Sequence, residues 1–208
     1  MGGVDHLLLI PDSHRKAKGD EGTPVPGDAC VRLLTESSRR SLYALRTKVA
    51  AAANCAPGPD VVPEGKARAD LLPASRRYQG NMYRRVSPEA WEKRDPGVEV
   101  LVLPALYGPV HSREPVRVYP FSMGESLPGL GTLHIFWRDH GLPAIFAEVI
   151  RAMAPRKVTD LLSGVYRDAV SGYLPLVKNL KVEQIDFPGM GRRSQVARGD
   201  LLAKLLGG

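Results

Sequence analysis

Residues 98–103 read VEVLVL, a short β-branched run closed by Gly97 on one side and Pro104 on the other. Its length and composition predict a buried β-strand. Two further runs have the same character. DHLLLI at 5–10 ends at Pro11, and KVTDLL at 157–162 precedes a polar turn. A fourth strand or hairpin is expected within LVKNLKVEQI, which starts at Leu176.

Helical patterns separate these runs. ACVRLLTESSRRSLYALRTKVAAAA, which starts at Ala29, places Val31, Leu34, Leu42, Leu45 and Val49 on one face. The other face carries Arg39, Arg40, Arg46 and Lys48. Asp28 stands where a cap for this helix belongs. Residues 132–153 predict a helix pair broken at Gly141 and Pro143, and residues 193–206 a terminal amphipathic helix. Strands alternating with helices predict an α/β fold: a single compact domain over residues 1–208, with a mixed sheet and flanking helices. The chain has 208 residues, 43% apolar and 25% charged, ordinary values for a globular protein of this size.

Composition narrows the function classes. Cys30 and Cys55 are the only cysteines, and the five histidines are scattered, so neither a disulfide framework nor a metal site is expected. No cofactor is expected. No apolar run reaches the roughly 20 residues needed to cross a bilayer, and the N-terminus lacks the basic region of a signal peptide. These readings predict a cytoplasmic protein without a membrane partner and leave its oligomeric state open. Net charge is +7. Nucleic acid or a nucleotide-like anion is therefore the expected partner, against the plainer reading that the charge only serves solubility.

Each strand runs into an unusual loop: PDSHRKAKG after the first, PALYGPVHSREPVRVYPFSMG after the second, SGVYRD after the third. In open α/β sheets ligands sit beyond the carboxyl ends of the strands. If the three strands are parallel neighbours, these loops converge there. Lys16 and Lys18 in a Gly-containing loop suit an anion, although the phosphate-loop pattern GxxxxGK[ST] is absent. Asp160 in a buried strand needs a partner or a shifted pKa.

Four of these segments resemble motifs of the YaaA (DUF328) peroxide-stress family. IPDSHRKAKGDEGTP is similar to its first motif at Ser13, Lys16, Gly19, Asp20 and Gly22. RYQGNMYRRV is similar to its second at Arg77, Tyr78, Gly80 and Tyr83. PALYGPVHSREPVRVYPFSMG, with FWRD further on, is similar to its third at residues that include Tyr107, Tyr119, Trp137 and Asp139. VTDLLSGVY is similar to its fourth at Leu161, Ser163 and Tyr166. The chain departs from the family pattern at His14 and Arg15, at His111 and Ser112, and at Pro120. It keeps Ala197-Arg198-Gly199 without the upstream lysine.

The resemblance implies a YaaA-like fold, a basic cleft and a role in limiting oxidative DNA damage, with DNA binding and lowered free iron as proposed activities. On this reading the candidate ligand or nucleic-acid contacts are Ser13, Lys16, Lys18, Arg77, Tyr78, Tyr83, Tyr107, Arg117, Tyr119, Arg138, Ser163, Tyr166, Arg192, Arg193 and Arg198. Tyrosines between basic residues suit base stacking, or else tie loops together inside the core. The alternative function is an enzyme of specialised metabolism acting on a nucleotide, nucleoside or other small anion by C–N cleavage or group transfer. Lys16, Tyr107 and Asp160 are then the catalytic candidates.

Overall fold

The computed structural model describes residues 3–21 and 29–207. Asp28 and Gly22 lie outside the described residues. The three apolar runs form strands β1 (His6–Pro11), β2 (Val98–Leu103) and β4 (Lys157–Asp160), joined by β3 (Val110–His111) and β5 (Lys181–Gln184). Their order across the sheet is β3-β2-β1-β4-β5. β1 pairs in parallel with both β2 and β4, with Leu8 opposite Val100 on one side and Thr159 on the other. β5 extends the parallel set, and β3 is antiparallel to β2. The sheet is therefore mixed, and β1 is its centre. Leu7, Leu8, Leu9 and Ile10 are all 0% exposed, as expected of a strand covered on both faces.

The long predicted helix divides. Cys30–Leu33 is a single turn, and α1 (Glu36–Ala52) starts anew at Thr35, whose side chain accepts from the Ser38 amide. Leu42, Leu45 and Val49 face the core as predicted. Arg46, assigned to the polar face by its charge, is only 3% exposed. Its guanidinium donates to the carbonyls of Tyr107 (2.7 Å) and Pro109 (3.4 Å), so it ties the helix to the loop after β2. Bidentate capture of backbone carbonyls is what makes that burial tolerable.

Gly141, at φ 95°, separates α2 (Leu133–Asp139) from α3 (Leu142–Met153), a left-handed backbone that glycine adopts without strain. Trp137 is fully buried, and its indole N–H donates to the Ala105 carbonyl at 2.9 Å. α4 (Val165–Ala169) packs on α2, and α5 (Ser194–Leu205) packs on the turn Tyr83–Arg85. A Cβ on Gly199 would collide with the Met82 carbonyl and the Arg85 side chain, so glycine is what lets α5 approach this closely. No helix among the described residues is long and apolar enough to cross a membrane.

Candidate functional site

Because β1, β2 and β4 are parallel neighbours, the residues after Pro11, Leu103 and Asp160 emerge at one edge of the sheet. They meet at Asp12, the first residue beyond β1, which is 6% exposed. Its Oδ2 accepts the Tyr119 hydroxyl at 2.5 Å and the Ala105 amide at 3.2 Å. Its Oδ1 accepts the hydroxyl of Tyr166 on α4. Tyr78 joins through a hydroxyl–hydroxyl bond to Tyr119 at 3.0 Å, and Tyr83 donates to the Pro11 carbonyl at 2.7 Å. One carboxylate, itself on the first loop, thus collects groups from the other two.

Lys16 leans into the same cluster. Its ammonium stands 3.9 Å from the centroid of the Tyr119 ring and 5.8 Å from that of Tyr78. Burial lowers its pKa, opposed in part by the negative charges of Asp12 and Glu125. Burial also raises the Tyr78, Tyr119 and Tyr166 hydroxyls well above their ordinary range, and the Asp12 charge adds to this. At neutral pH these hydroxyls remain protonated donors. Ser13 packs against Gly80, where a Cβ would collide with the Ser13 hydroxyl.

Other residues singled out by sequence lie elsewhere. The Tyr107 hydroxyl donates to Asp60 at 2.6 Å and accepts the Arg117 amide at 3.0 Å. Arg117 grips both oxygens of Asp60, at 2.8 and 2.5 Å. The guanidinium of Arg77 donates to the carbonyls of Ala17, Gly19, Asp70 and Val116. Asp160 accepts from the Leu162 amide, the Tyr173 hydroxyl and the Gln184 amide, each at 2.8 Å. Arg138 pairs with Asp139 at the surface, and Ser163 is half-buried at the turn after β4. Tyr78, Tyr83, Tyr107 and Tyr119 are at most 4% exposed, so their rings serve the interior and present no open face to a base. Arg198 is 2% exposed, whereas Arg192 and Arg193 are exposed. Asp12 and Asp60 were absent from the sequence reading.

A groove of about 1070 Å³ runs beside the cluster, with Tyr78, Tyr83 and Trp91 in its wall. Five Lys/Arg and five Asp/Glu line it, Lys18 among them, so it is charge-balanced rather than the basic cleft that the resemblance implied. Glu99 organises one end. It contacts Arg94 at 2.8 Å, His111 at 2.6 Å and Arg113 at 3.1 Å. Burial pushes the Glu99 carboxyl up, but hydrogen bonding and charge from His111 and Arg94 outweigh it and hold the pKa at about 2, against 4.5 ordinarily. A depressed carboxylate pKa stabilises the fold above its unfolded value, and that stabilisation disappears as pH falls through the folded one. Thermal melts of the Glu99→Gln variant should therefore run about 4–8 °C below wild type at neutral pH, converging as pH drops from about 4.5 to 2. A constant gap across that window would remove Glu99 from the account.

Among the described residues no group of three or more His, Cys, Asp or Glu side chains is placed to hold a metal ion.

The sequence is similar to known proteins over most of its length. The family model described as "Peroxide stress protein YaaA" matches residues 31–201. The UPF0246 protein SCO2297 of Streptomyces coelicolor is 32% identical over 178 residues, covering 78% of this chain and 66% of that protein. The chain thus spans just under two thirds of that relative's length. With most of its length matched, including the second, third and fourth of the motifs that build the rim, the chain belongs to the YaaA peroxide-stress protein family.

Proposed function

We propose that this YaaA-family protein binds nucleic acid through the turn that leads into α5, Gly189-Met190-Gly191-Arg192-Arg193. The observation that carries this reading is a pair of exposed, adjacent arginines on a glycine turn. Among the described residues neither Arg192 nor Arg193 forms an ion pair. Gly189 and Gly191 have φ of 72° and 49°, and nothing lies within 4 Å of where a Cβ would be. That leaves the backbone open to close approach by a phosphate, with two guanidinium forks beside it. The charge-balanced groove offers no such field, and the buried tyrosines no stacking platform.

Duplex binding measured across a salt series tests it. Log affinity should fall steeply with log salt. The Arg192→Ala/Arg193→Ala double variant should reduce that slope by about 2 and weaken binding about tenfold at low salt. An unchanged slope in the double variant would overturn the assignment.

A second reading is supported by the groove. Its size suits a small-molecule site, and Tyr78 in its wall connects through Tyr119 to Asp12. In an enzyme acting on a nucleotide-like anion, Lys16 and Asp12 would carry the chemistry, since Tyr107 and Asp160 are engaged elsewhere. A ligand found by thermal shift among nucleosides and nucleotides, with its effect abolished in Lys16→Ala, would favour this reading over the first.

A further inference from the structure

Arg198 presents an unsolved charge. Only 2% exposed, it carries five N–H donors, and one of them is engaged: Nη1 reaches the Ser194 carbonyl at 3.5 Å, the outer limit of a hydrogen bond. Its Nε is enclosed without a partner. Among the described residues no carboxylate lies within 4.0 Å of it. The guanidinium sits 5.1 Å from the centroid of the Phe187 ring, which favours the cation's face but satisfies none of its N–H edge.

The surroundings make the deficit sharper. Arg167 on α4 is close enough that its charge, after burial, is the next influence lowering the Arg198 pKa. Arg167 itself is better supplied: Nη1 donates to Asp186 at 2.6 Å, Nη2 to the Leu162 carbonyl at 2.7 Å, and its enclosed Nε, which makes no hydrogen bond, lies 3.7 Å from Asp160 Oδ2. The two carboxylates whose fields reach Arg198 are already engaged. Asp160 holds Tyr173, Gln184 and the Leu162 amide and pairs with Arg167 Nε at 3.7 Å, and Asp186 holds Arg167 Nη1 at 2.6 Å. A buried guanidinium without acceptors is strongly unfavourable, and buried polar groups are almost always satisfied. The chemistry that completes the Arg198 edge, with the Arg167 charge beside it, is a compact anion with several acceptor oxygens.

We propose that Arg198, against the Phe187 ring and with the Arg167 charge beside it, forms a site for a small tetrahedral oxyanion, inorganic phosphate or the phosphate of a phosphomonoester. This site is internal and does not depend on the duplex contact proposed for Arg192 and Arg193. A ligand that binds only the folded protein raises its melting temperature, by about 5–10 °C at a hundredfold excess over Kd for a chain of this size.

The test is thermal unfolding of the full chain, titrated with sodium phosphate and, separately, with a nucleoside monophosphate, at constant ionic strength set by chloride. Wild type should show a saturable upward shift. A response to both ions assigns the site to phosphate in general, and a response to the monoester alone assigns it to a phosphorylated metabolite. Arg198→Met should lose the shift and, with the unpaired charge gone, melt at or above the wild-type temperature in phosphate-free buffer. Arg198→Lys keeps a charge without the fork and should show a weakened shift, which covers the case of a poorly folding Met variant. Arg192→Ala/Arg193→Ala should retain the shift while losing duplex affinity. No saturable shift in wild type with either ion, or a full shift in Arg198→Met, would overturn the proposal without touching the duplex reading.

Discussion

Asp12→Ala is expected to lower the melting temperature by about 10–15 °C. The substitution removes the shared acceptor of three donors, the buried Tyr119 hydroxyl and Ala105 amide and the partly buried Tyr166 hydroxyl. A buried donor left without a partner costs about 1–3 kcal/mol, and three of them with partial relaxation cost about 3–6 kcal/mol. For a chain of this size each kcal/mol corresponds to about 2–4 °C. The loss is shared among three loops, so the effects should be non-additive. Tyr119→Phe removes one of the same donors and should cost less in the Asp12→Ala background than in wild type. Asp12→Asn keeps the size and one carbonyl acceptor and should fall between. Asp12 also holds Lys16 towards its charged form against burial. Its removal should lower the Lys16 pKa further, detectable as faster acylation of that lysine near neutral pH. A melting change below about 2 °C in Asp12→Ala would mean that these bonds do not organise the rim.

The sheet was legible in the sequence because its signal is local. VEVLVL, HLLLI and KVTD are short apolar runs between breakers, and no other element accommodates them so well. The convergence of the following loops was legible for the same reason, since parallel neighbours send their carboxyl ends to one edge. What could not be read was which side chain sits at the meeting point. Asp12 is a single acidic residue in a polar loop, indistinguishable from a solvated one. Its partners Tyr119 and Tyr166 stand 107 and 154 residues away in the chain. Charge was misleading wherever tertiary contacts decided its use. Arg46 is expected to face solvent by its charge, although its spacing from Leu42 puts it on the apolar face, and the loop after β2 offers it two carbonyls there. Arg77 and Arg117 lie in segments similar to family motifs and were read as ligand contacts, yet their guanidinium groups bind carbonyls and Asp60 inside the protein. The signal available for Asp12 was its position, directly after the most apolar strand and within the first motif loop.

Asp60→Ala should cost about 3–5 kcal/mol, the penalty for removing one partner of a buried ion pair. Asp60 and Arg117 are 8% and 7% exposed. Burial opposes the Arg117 charge, but hydrogen bonding and attraction from Asp60 more than offset it and raise the pKa. Without Asp60 that guanidinium keeps one hydrogen bond, Nη1 to the Ala56 carbonyl, and the Tyr107 hydroxyl loses its acceptor. The turn at Gly58 is shaped to this pair, because a Cβ there would lie 2.6 Å from Arg117 Nη2 and 2.7 Å from Asp60 Oδ1. Replacing both charges, as in Asp60→Leu/Arg117→Met, removes the stranded cation and should recover a substantial part of the loss. The melting temperature should fall by about 10–15 °C in the single variant and by clearly less in the double. Tyr107 stacks edge-on against Tyr119 at 6.1 Å, so loosening the first network should also disturb the second. Hydrogen exchange should then speed at the Ala105 amide in Asp60→Ala, where the Asp12 carboxylate normally protects it. If Ala105 exchanges at the wild-type rate while stability falls, the two networks are independent, and Tyr107 serves the Asp60 loop alone.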